Sequence, residues 1–304
     1  MPYINIKVQF MDIELLINIA QLASGDLNQK VAVVTGSSSG IGLATSLILA
    51  RNEFYTYATM RNLTKSRSIM DVADKEKLPL QVVQLDVDDD KSVKNAIEKI
   101  VAEKKRIDVL VNNAGYGLIG CVEDLSLDEV KTIFGTNLFG VIRVTQAVLP
   151  IMRKQRSGKI VNISSVAGRI GFPVTPAYIS TKFALEGLSE SMRYELEQFG
   201  IKVIIVEPGA VRTNFPVNLK VAKKVMDPDS SYAELTQKVS AGLKHLLEHG
   251  TPPEEVAKVI LKAVTSDNPE PRYLAGNDAV MVMEARRNMS DAEFEKFMKK
   301  EILQ

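Results

Sequence analysis

A tyrosine and a lysine stand four residues apart in the stretch PAYISTKFALEG, which has the composition of a helix. Residues i and i+4 share a helix face, so Lys182 can lie beside Tyr178. A phenol has an ordinary pKa of about 10, and a neighbouring ammonium lowers the pKa towards working pH. Proton transfer is most efficient when the pKa lies near ambient pH. The pair is therefore a candidate general acid or base with its tuning lysine, although the same spacing also recurs on solvated helices.

A glycine-rich turn, TGSSSGIG, directly follows the β-branched run KVAVVT. Glycines let a backbone turn sharply and approach a pyrophosphate, and the N-terminus of the following helix favours negative charge. Three residues separate Gly36 from Gly40, so the spacing differs from the usual G-x-G-x-x-G fingerprint. No G-K-[ST] follows, which argues against an ATPase. The position after a first strand predicts a dinucleotide site.

The end of the second predicted strand bears on which nicotinamide cofactor is used. An acidic residue there binds the ribose hydroxyls of NAD and repels a 2′-phosphate. No carboxylate occurs between Tyr55 and Lys65, and Met60, 18 residues past Gly42, is followed by Arg61. An arginine can pair with the 2′-phosphate of NADP in a charge-assisted contact, or can merely cap a strand at the surface. We therefore predict NADP(H).

The elements that position these residues alternate short β-branched runs with helical stretches. Such alternation implies βαβ units, a parallel sheet and right-handed crossovers. We predict an α/β fold: a Rossmann-type doubly wound parallel sheet of about seven strands, with helices on both faces and a small helical lid. Ligands bind outside the carboxyl ends of such strands. The predicted strands are 30–35, 55–59, 80–85, 108–112, 159–164, 201–207 and 272–276.

The domain organisation follows from this alternation of strands and helices. Residues 1–28 form an N-terminal extension of uncertain order, and 29–304 form a single Rossmann-fold domain. Residues from about 212 to 250 interrupt the alternation and carry Pro216, Pro228 and many lysines. We predict that they form the lid.

Composition excludes several functional classes. The 38 basic and 37 acidic residues give no reason to expect nucleic acid or an anionic membrane as partner. No run of about 18 apolar residues occurs, so no membrane span is predicted. The single cysteine, Cys121, rules out an internal disulfide and suits a reducing compartment. We therefore expect a cytoplasmic protein in which Cys121 is a small core or pocket residue.

A family resemblance rests on seven motifs in one order. They are TGSSSGIG, LDV at 85–87, NNAG at 112–115, Asn137 in GTNLFG, Ser165 in NISS, YISTK at 178–182, and PG at 208–209. In this pattern the chain resembles the single-domain branch of the short-chain dehydrogenase/reductase family from about residue 30 to 276. The ATMRN stretch and the 212–250 region resemble its NADP-dependent hydroxysteroid and retinol dehydrogenase members.

The resemblance implies four catalytic residues: Asn137, Ser165, Tyr178 and Lys182. Ser165 would hold the substrate oxygen in line with the tyrosine hydroxyl, and Asn137 would distort its helix and hold a water that links the lysine to solvent. Hydride would pass between nicotinamide and a carbonyl or alcohol carbon while Tyr178 moves the proton. The implied cofactor contacts are Gly36, Ser38, Ser39, Gly40, Ile41, Gly42, Arg61, Asp86, Val87, Asn113, Ala114, Gly115, Tyr178, Lys182, Pro208, Gly209, Val211 and Thr213.

The expected partner is a small-molecule carbonyl or alcohol substrate. Apolar residues near the catalytic motifs suggest an apolar substrate, or equally the packing of the lid on the body. They are Leu118, Ile119, Val166, Ile170, Phe172, Val174, Phe215, Val217 and Leu219. A catalytically idle cofactor sensor or scaffold on the same fold is the alternative function.

A homodimer or homotetramer is expected by resemblance, through the helix that carries Tyr178 and the helix before it. Phe183, Leu185, Leu188 and Met192 fit such a contact and fit a core face equally well.

The segment HLLEH, residues 245–249, matches a zinc-peptidase pattern. A histidine just before Gly250 is also typical of a cation at a helix C-terminus, and we predict no metal site.

Overall fold

The computed structural model of the protein describes residues 29–213, 219–227 and 229–303. The predicted extension, residues 1–28, lies outside them, as do Pro216 and Pro228. The nine strands in chain order are β1 Val31–Val34, β2 Tyr55–Met60, β3 Leu80–Gln84, β4 Val109–Asn112, β5 Leu118–Ile119, β6 Gly158–Ile163, β7 Ile201–Pro208, β8 Lys220–Val221 and β9 Arg272–Ala275.

Ten α-helices connect and cover these strands in the described ranges. They are α1 Gly40–Arg51, α2 Arg67–Glu76, α3 Asp90–Lys104, α4 Leu127–Phe134, α5 Gly140–Gln155, α6 Pro176–Leu196, α7 Ala233–Glu248, α8 Pro253–Thr265, α9 Asn277–Asn288 and α10 Asp291–Leu303. A π-helical turn, Gly135–Phe139, joins α4 to α5.

Seven of the strands form one sheet in the spatial order β3–β2–β1–β4–β6–β7–β9, and each neighbouring pair is parallel. All seven predicted strands are thereby confirmed. The chain moves outward from β1 in one direction through β2 and β3, and then in the other direction from β4. This reversal opens a crevice beyond the carboxyl ends of β1 and β4, where open α/β sheets bind ligands.

Two apolar layers hold the helices against the sheet because its central strands are buried on both faces, as VAVV in β1 shows. One layer joins β1 and β6 to α3, α5 and α6, with Ile97, Val148 and Leu196 among its members. The other joins the opposite face to α1 and α8, with Leu49 and Ile260 among its members. Helices on both faces confirm the doubly wound architecture.

The stretch Leu127–Gln155 is long and apolar enough to cross a bilayer by length and composition alone. It comprises α4, the π-helical turn and α5, and it buries Ile133, Val144 and Val148 in the body of the protein. Such a helix is also what the core of this fold requires. The stretch is therefore weak evidence for a membrane span.

The described part of the predicted lid packs beside the sheet's carboxyl edge. β8 pairs with β5 in a small parallel sheet, with Leu118 opposite Lys220 and Ile119 opposite Val221. The helix α7 contributes Val239 to an apolar cluster with Cys121 and Val174, and Ile302 of α10 packs against the same cluster. Cys121 is a buried residue of this cluster, as expected of a small core residue.

Candidate active site

The glycine turn forms a cradle between β1 and α1. Gly36 and Gly40 have left-handed backbone angles, φ +70° and +58°, which favour glycine. A Cβ at Gly36 would lie 2.9 Å from the Ala114 Cα, so no side chain fits there. Because α1 begins at Gly40, the amides of its first turn have no intrahelical acceptor. Ser38 and Ser39, between these two glycines, line the cavity that opens beside the turn. Free amides, hydroxyls and bare backbone suit a pyrophosphate.

Asn113 ties the end of β4 to the glycine turn. Its side-chain amide donates to the Thr35 carbonyl at 2.9 Å and to the Gly36 carbonyl at 3.2 Å. The Thr35 hydroxyl in turn accepts from the backbone amides of Asn113 at 2.9 Å and Ala114 at 3.1 Å. The two loops at the reversal point are therefore one hydrogen-bonded unit. Sequence reasoning assigned Thr35 no role, although it lies within the quoted motif.

One cavity of ≈ 560 Å³ runs from the end of β2 to the lid. It brings together all but two of the predicted site residues, with Arg61, Asp86 and Val87 at one end and Ser165, Tyr178 and Lys182 at the other. The predicted residues on its wall are Gly36, Ser38, Ser39, Gly40, Ile41, Arg61, Asp86, Val87, Asn113, Ala114, Gly115, Ser165, Tyr178, Lys182, Pro208, Gly209, Val211 and Thr213.

Gly42 lies behind this wall. A Cβ built on it would lie 2.4 Å from the Gly36 carbonyl oxygen and 2.5 Å from Nδ2 of Asn113. Its role is therefore close packing of the helix against the loop that holds the pyrophosphate site.

We predict that Gly42→Ala destabilises the protein by about 1–3 kcal/mol and weakens binding of a dinucleotide at the glycine turn, because a backbone carbonyl cannot move aside as the tip of a side chain can. Thermal unfolding and fluorescence titration with NADPH measure the two effects. Gly187→Ala is the matched control: Gly187 lies in α6 with nothing within 4 Å of a built Cβ, and alanine there favours the helix by up to about 1 kcal/mol. Equal melting temperatures and NADPH affinities for Gly42→Ala and wild type would contradict the packing role.

Ser165 and Tyr178 stand in hydrogen-bond contact at the cavity. Ser165 follows β6 and caps a short 3₁₀ turn, with its hydroxyl oxygen accepting from the Ala167 amide at 3.1 Å and its proton directed to the Pro208 carbonyl at 3.2 Å. Tyr178 lies in the first turn of α6, half-buried among Leu118, Ile133 and Ala177. Two hydroxyls thus converge where a substrate oxygen can be held.

Lys182 is 8% exposed, one turn after Tyr178 on α6. Its Nζ donates to the Ile163 carbonyl at 2.8 Å and lies 5.7 Å from the Tyr178 ring centroid. Burial lowers the pKa of Lys182 to about 8, while the carboxylate of Glu186 acts in the opposite direction. The i, i+4 placement predicted from sequence is therefore present.

The predicted lowering of the tyrosine pKa is wrong for this structure. Burial raises the pKa of Tyr178 to about 12, and the hydrogen bond with Ser165 lowers it only in part. The loss of water around the phenolate outweighs this hydrogen bond. Tyr178 is therefore protonated at neutral pH, which suits it to donate a proton.

Asn137 does not line the cavity. It is buried in the π-helical turn, where Nδ2 donates to the Tyr116 carbonyl at 2.9 Å and to the Thr181 hydroxyl at 3.2 Å. Its Oδ1 accepts from the Tyr116 amide at 3.0 Å. The helix is distorted at Asn137 as expected, and the side chain joins the Tyr116 loop to α6. Its catalytic role stays a prediction.

The residues expected to line an apolar substrate pocket are placed differently. Leu219 is on the cavity wall, and Phe215 and Val217 lie outside the described residues. Leu118, Ile119, Val166, Ile170 and Val174 are instead buried in the protein body, and neither they nor Phe172 are on the wall. Ile119 and Val174 pack with lid residues such as Val239, which is the alternative to a pocket, whereas Leu118 packs within the body.

Sequence reasoning also missed several cavity residues. Lys65 lies four residues after Arg61 on the cavity wall. On the lid side, Nζ of Lys220 lies 4.3 Å from the centroid of the Tyr116 ring. Most of the other missed residues are next to one of the family motifs in the sequence, and that proximity could have identified them as wall residues. The missed residues are Met60, Lys65, Leu85, Asp88, Tyr116, Thr132, Thr136, Ile163, Ser164, Lys220 and Leu247.

Residues from the C-terminal part of the chain hold the loop after β7 in place by hydrogen bonds. The Gly209 amide donates to the Ala275 carbonyl at 3.1 Å, and the Ala210 amide donates to Oδ2 of Asp278 at 2.6 Å. The amide of Thr251 donates to the Ala210 carbonyl at 2.9 Å. This loop carries Thr213, which packs against Gly40.

His245 lies in the last turn of α7 and His249 caps the C-terminus of that helix, with their ring centroids 4.3 Å apart. Nδ1 of His249 lies 2.9 Å from the His245 carbonyl oxygen. Among the described residues, no group of three or more histidine, cysteine or acidic side chains is arranged to hold a metal ion.

Known proteins match both this sequence and this fold. The family model described as short chain dehydrogenase matches residues 30–224. Retinol dehydrogenase 8 of Bos taurus is 40% identical over 252 residues, which cover 79% of each chain. A short-chain dehydrogenase from Streptomyces avermitilis superposes with a TM-score of 0.77 at 33% identity, covering 90% of this chain and 97% of that one. ElxO with NADP bound gives a TM-score of 0.69 at 29% identity, covering 83% and 99%.

The chain belongs to the short-chain dehydrogenase/reductase family. It is thus an oxidoreductase of the kind that acts on CH–OH or C=O groups with a nicotinamide cofactor. The cradle of bare glycine backbone, loop amides and hydroxyls fits such a cofactor.

Proposed function

We propose that the protein is an NADPH-dependent carbonyl reductase of apolar substrates, able to run in reverse as an alcohol dehydrogenase. The observation that carries this proposal is the shared cavity: Ser165, Tyr178 and Lys182 line the same space as the glycine cradle. A hydride donor in the cradle and a proton donor at Tyr178 would then face one carbonyl group.

The protein's part in the reaction is to align and polarise. Ser165 and Tyr178 hold the carbonyl oxygen by hydrogen bonds, and Tyr178, protonated at neutral pH, donates its proton as charge develops on that oxygen. The buried ammonium of Lys182 stabilises the phenolate that remains. The nicotinamide supplies the hydride when it is bound. Pro208, Gly209, Val211 and Thr213 would hold the nicotinamide end, and Asp86 and Val87 the adenine end.

The preference for NADP is inferred from charge at the end of β2. Arg61 and Lys65 both line the cavity there, are exposed, and form no ion pair with any residue that the structure describes. The stretch from Tyr55 to Lys65 holds no carboxylate. Two cations that form no ion pair favour a 2′-phosphate over two ribose hydroxyls. The NADP bound to ElxO supports this choice.

The substrate is inferred to be an apolar aldehyde, ketone or the corresponding alcohol. Leu219, Leu247 and the Tyr116 ring line the lid side of the cavity. The similarity to retinol dehydrogenase 8 supports a long apolar substrate with one oxygen. Residues 212–250 would act as the lid that excludes water from it.

A turnover assay tests the proposal. Absorbance of NADPH is followed with retinal, a steroid ketone, a medium-chain aliphatic aldehyde and acetophenone, and each substrate is repeated with NADH. We expect oxidation of NADPH with at least one apolar carbonyl compound, and a higher kcat/KM with NADPH than with NADH. NADPH binding without turnover of any carbonyl or of the matching alcohols would favour the idle sensor instead.

Assembly and location stay predictions. Phe139 is 52% exposed and Phe183 46% exposed on the helices expected to pair in a homodimer or homotetramer, whereas Leu185 and Met192 are buried in the protomer. The exposed phenylalanines are the stronger candidates for a subunit contact. A cytoplasmic location is still expected from the single cysteine.

A further inference from the structure

A buried cluster of charged side chains lies next to the site, and its member Glu186 follows Lys182 by one turn of α6. Glu186 is 5% exposed and Glu207 is 2% exposed. Arg272 bridges them: its Nη2 donates to Oε2 of Glu186 at 3.0 Å and its Nε to Oε1 of Glu207 at 3.0 Å. Removal of this much charge from water is unfavourable unless the charges compensate one another.

The remaining members of the cluster come from the same helix and from the loop after β6. Nη2 of Arg272 also donates to Oε1 of Glu190 at 2.6 Å, and Nη1 of Arg169 donates to Oε1 of Glu207 at 3.3 Å. Three carboxylates therefore face two guanidinium groups. The sixth charge that balances them is the ammonium of Lys182, which precedes Glu186 by one helical turn.

Glu186 is placed to act on Lys182 in particular. Its Oε2 is engaged by Arg272, but Oε1 is buried and has no aligned hydrogen-bond partner among the described residues. The Ser164 hydroxyl lies in the same place, against Gly168, and acts on the Glu186 carboxylate by lowering its pKa. A buried carboxylate whose second oxygen lies outside the guanidinium contact keeps negative potential directed at the charged groups near it.

Resting on the proposed function, we propose that Glu186 is a positioning residue that acts through Lys182. Its carboxylate, held by Arg272, keeps the Lys182 ammonium charged at neutral pH in a buried place that otherwise disfavours the charge. Burial and the neighbouring Glu207 raise the pKa of Glu186, while the Ser164 hydroxyl and Arg272 oppose that rise, so these two contacts are what favour the carboxylate. Glu186 touches neither the cavity nor the reacting atoms.

The test is a direct titration of Lys182 in the cofactor-free protein. Lysine side chains are labelled with ¹³C at Cε, and the Lys182 signal is assigned by its absence in Lys182→Arg. In wild type the titration midpoint should lie near pH 8. In Glu186→Gln it should fall by at least about one pH unit, a tenfold change in the acid dissociation constant.

Glu190→Gln is the matched control, because Glu190 contacts the same arginine but is 52% exposed and lies two turns from Lys182. Its Lys182 midpoint should stay at the wild-type value. Glu186→Met, which keeps the length of the side chain and removes its polar end, is the second variant if Glu186→Gln does not fold. A Lys182 midpoint that is unchanged in the folded Glu186 variant overturns the inference, whether or not any substrate is turned over.

A kinetic readout separates this role from a merely structural one. At pH 7.5 we expect carbonyl reduction by Glu186→Gln to be about threefold slower than wild type, the ratio of charged Lys182 for a one-unit fall in its pKa, and to recover as the pH falls towards 6 and Lys182 is protonated again. A loss of rate that is the same at every pH would assign Glu186 to packing only. If wild type reduces no carbonyl, the proposed function fails while the titration still decides the role of Glu186.

Discussion

Tyr178→Phe is expected to reduce carbonyl substrates about 10²–10⁴-fold more slowly than wild type while still binding NADPH. The change removes one hydroxyl and keeps the ring, so the packing against Leu118, Ile133 and Ala177 is retained. In the proposed mechanism the lost hydroxyl is the proton donor and one of the two groups that hold the substrate oxygen. Steady-state kinetics with NADPH at saturation measure the loss as a fall in kcat.

Tyr194→Phe is the matched control, since Tyr194 lies on the same helix and is 81% exposed. It should keep the wild-type kcat. A Tyr178→Phe enzyme with more than about a third of the wild-type kcat would show that another group donates the proton, because a positioned acid contributes at least about a hundredfold.

Arg61→Asp is expected to reverse the cofactor preference. A charge-assisted hydrogen bond is worth about 1.5–3 kcal/mol, and the new carboxylate would also repel a 2′-phosphate, so NADPH affinity should fall about a hundredfold or more. The same carboxylate can accept hydrogen bonds from the ribose hydroxyls of NADH, whose affinity should rise. Dissociation constants for both cofactors, measured by fluorescence titration, give the ratio directly.

Arg67→Asp makes the same charge change nearby and serves as control. The Arg67 side chain is 92% exposed and is not on the cavity wall, so its cofactor ratio should match wild type. In wild type the NADPH advantage should shrink as salt is raised, because an exposed ionic contact is screened. An unchanged NADPH to NADH ratio in Arg61→Asp would exclude Arg61 from phosphate recognition.

The regular parts of the fold could be predicted because their patterns are long and local. VAVV in β1 and IKVIIVEP in β7 are buried runs in regular alternation with helices, and that alternation has few topological solutions. The strands of two residues, β5 and β8, could not be predicted. Leu118 pairs with Lys220 across about a hundred residues of chain, and two residues carry no periodicity.

The residues of the site could be predicted where the chemistry requires a fixed spacing along the chain. Properties that depend on the tertiary surroundings of a residue could not. The four-residue interval between Tyr178 and Lys182 sets their common helix face. The pKa of Tyr178, however, depends on how much water its phenol loses, and that follows from the packing of distant segments. The wall residues were misjudged for the same reason: Val166 and Ile170 are as apolar as Leu219, and only the tertiary fold decides which of them faces the cavity.

The anchoring of the loop after β7 has a consequence for how the protein is made. A nascent chain that has emerged through residue 250 already contains the glycine turn and Tyr178, but it lacks Thr251, Ala275 and Asp278, which hold Gly209 and Ala210 in place. This loop of the candidate site can therefore be held in place only after residues 251–278 have emerged and β9 docks beside β7. A cofactor that binds the finished site also favours the docked C-terminal segment by mass action.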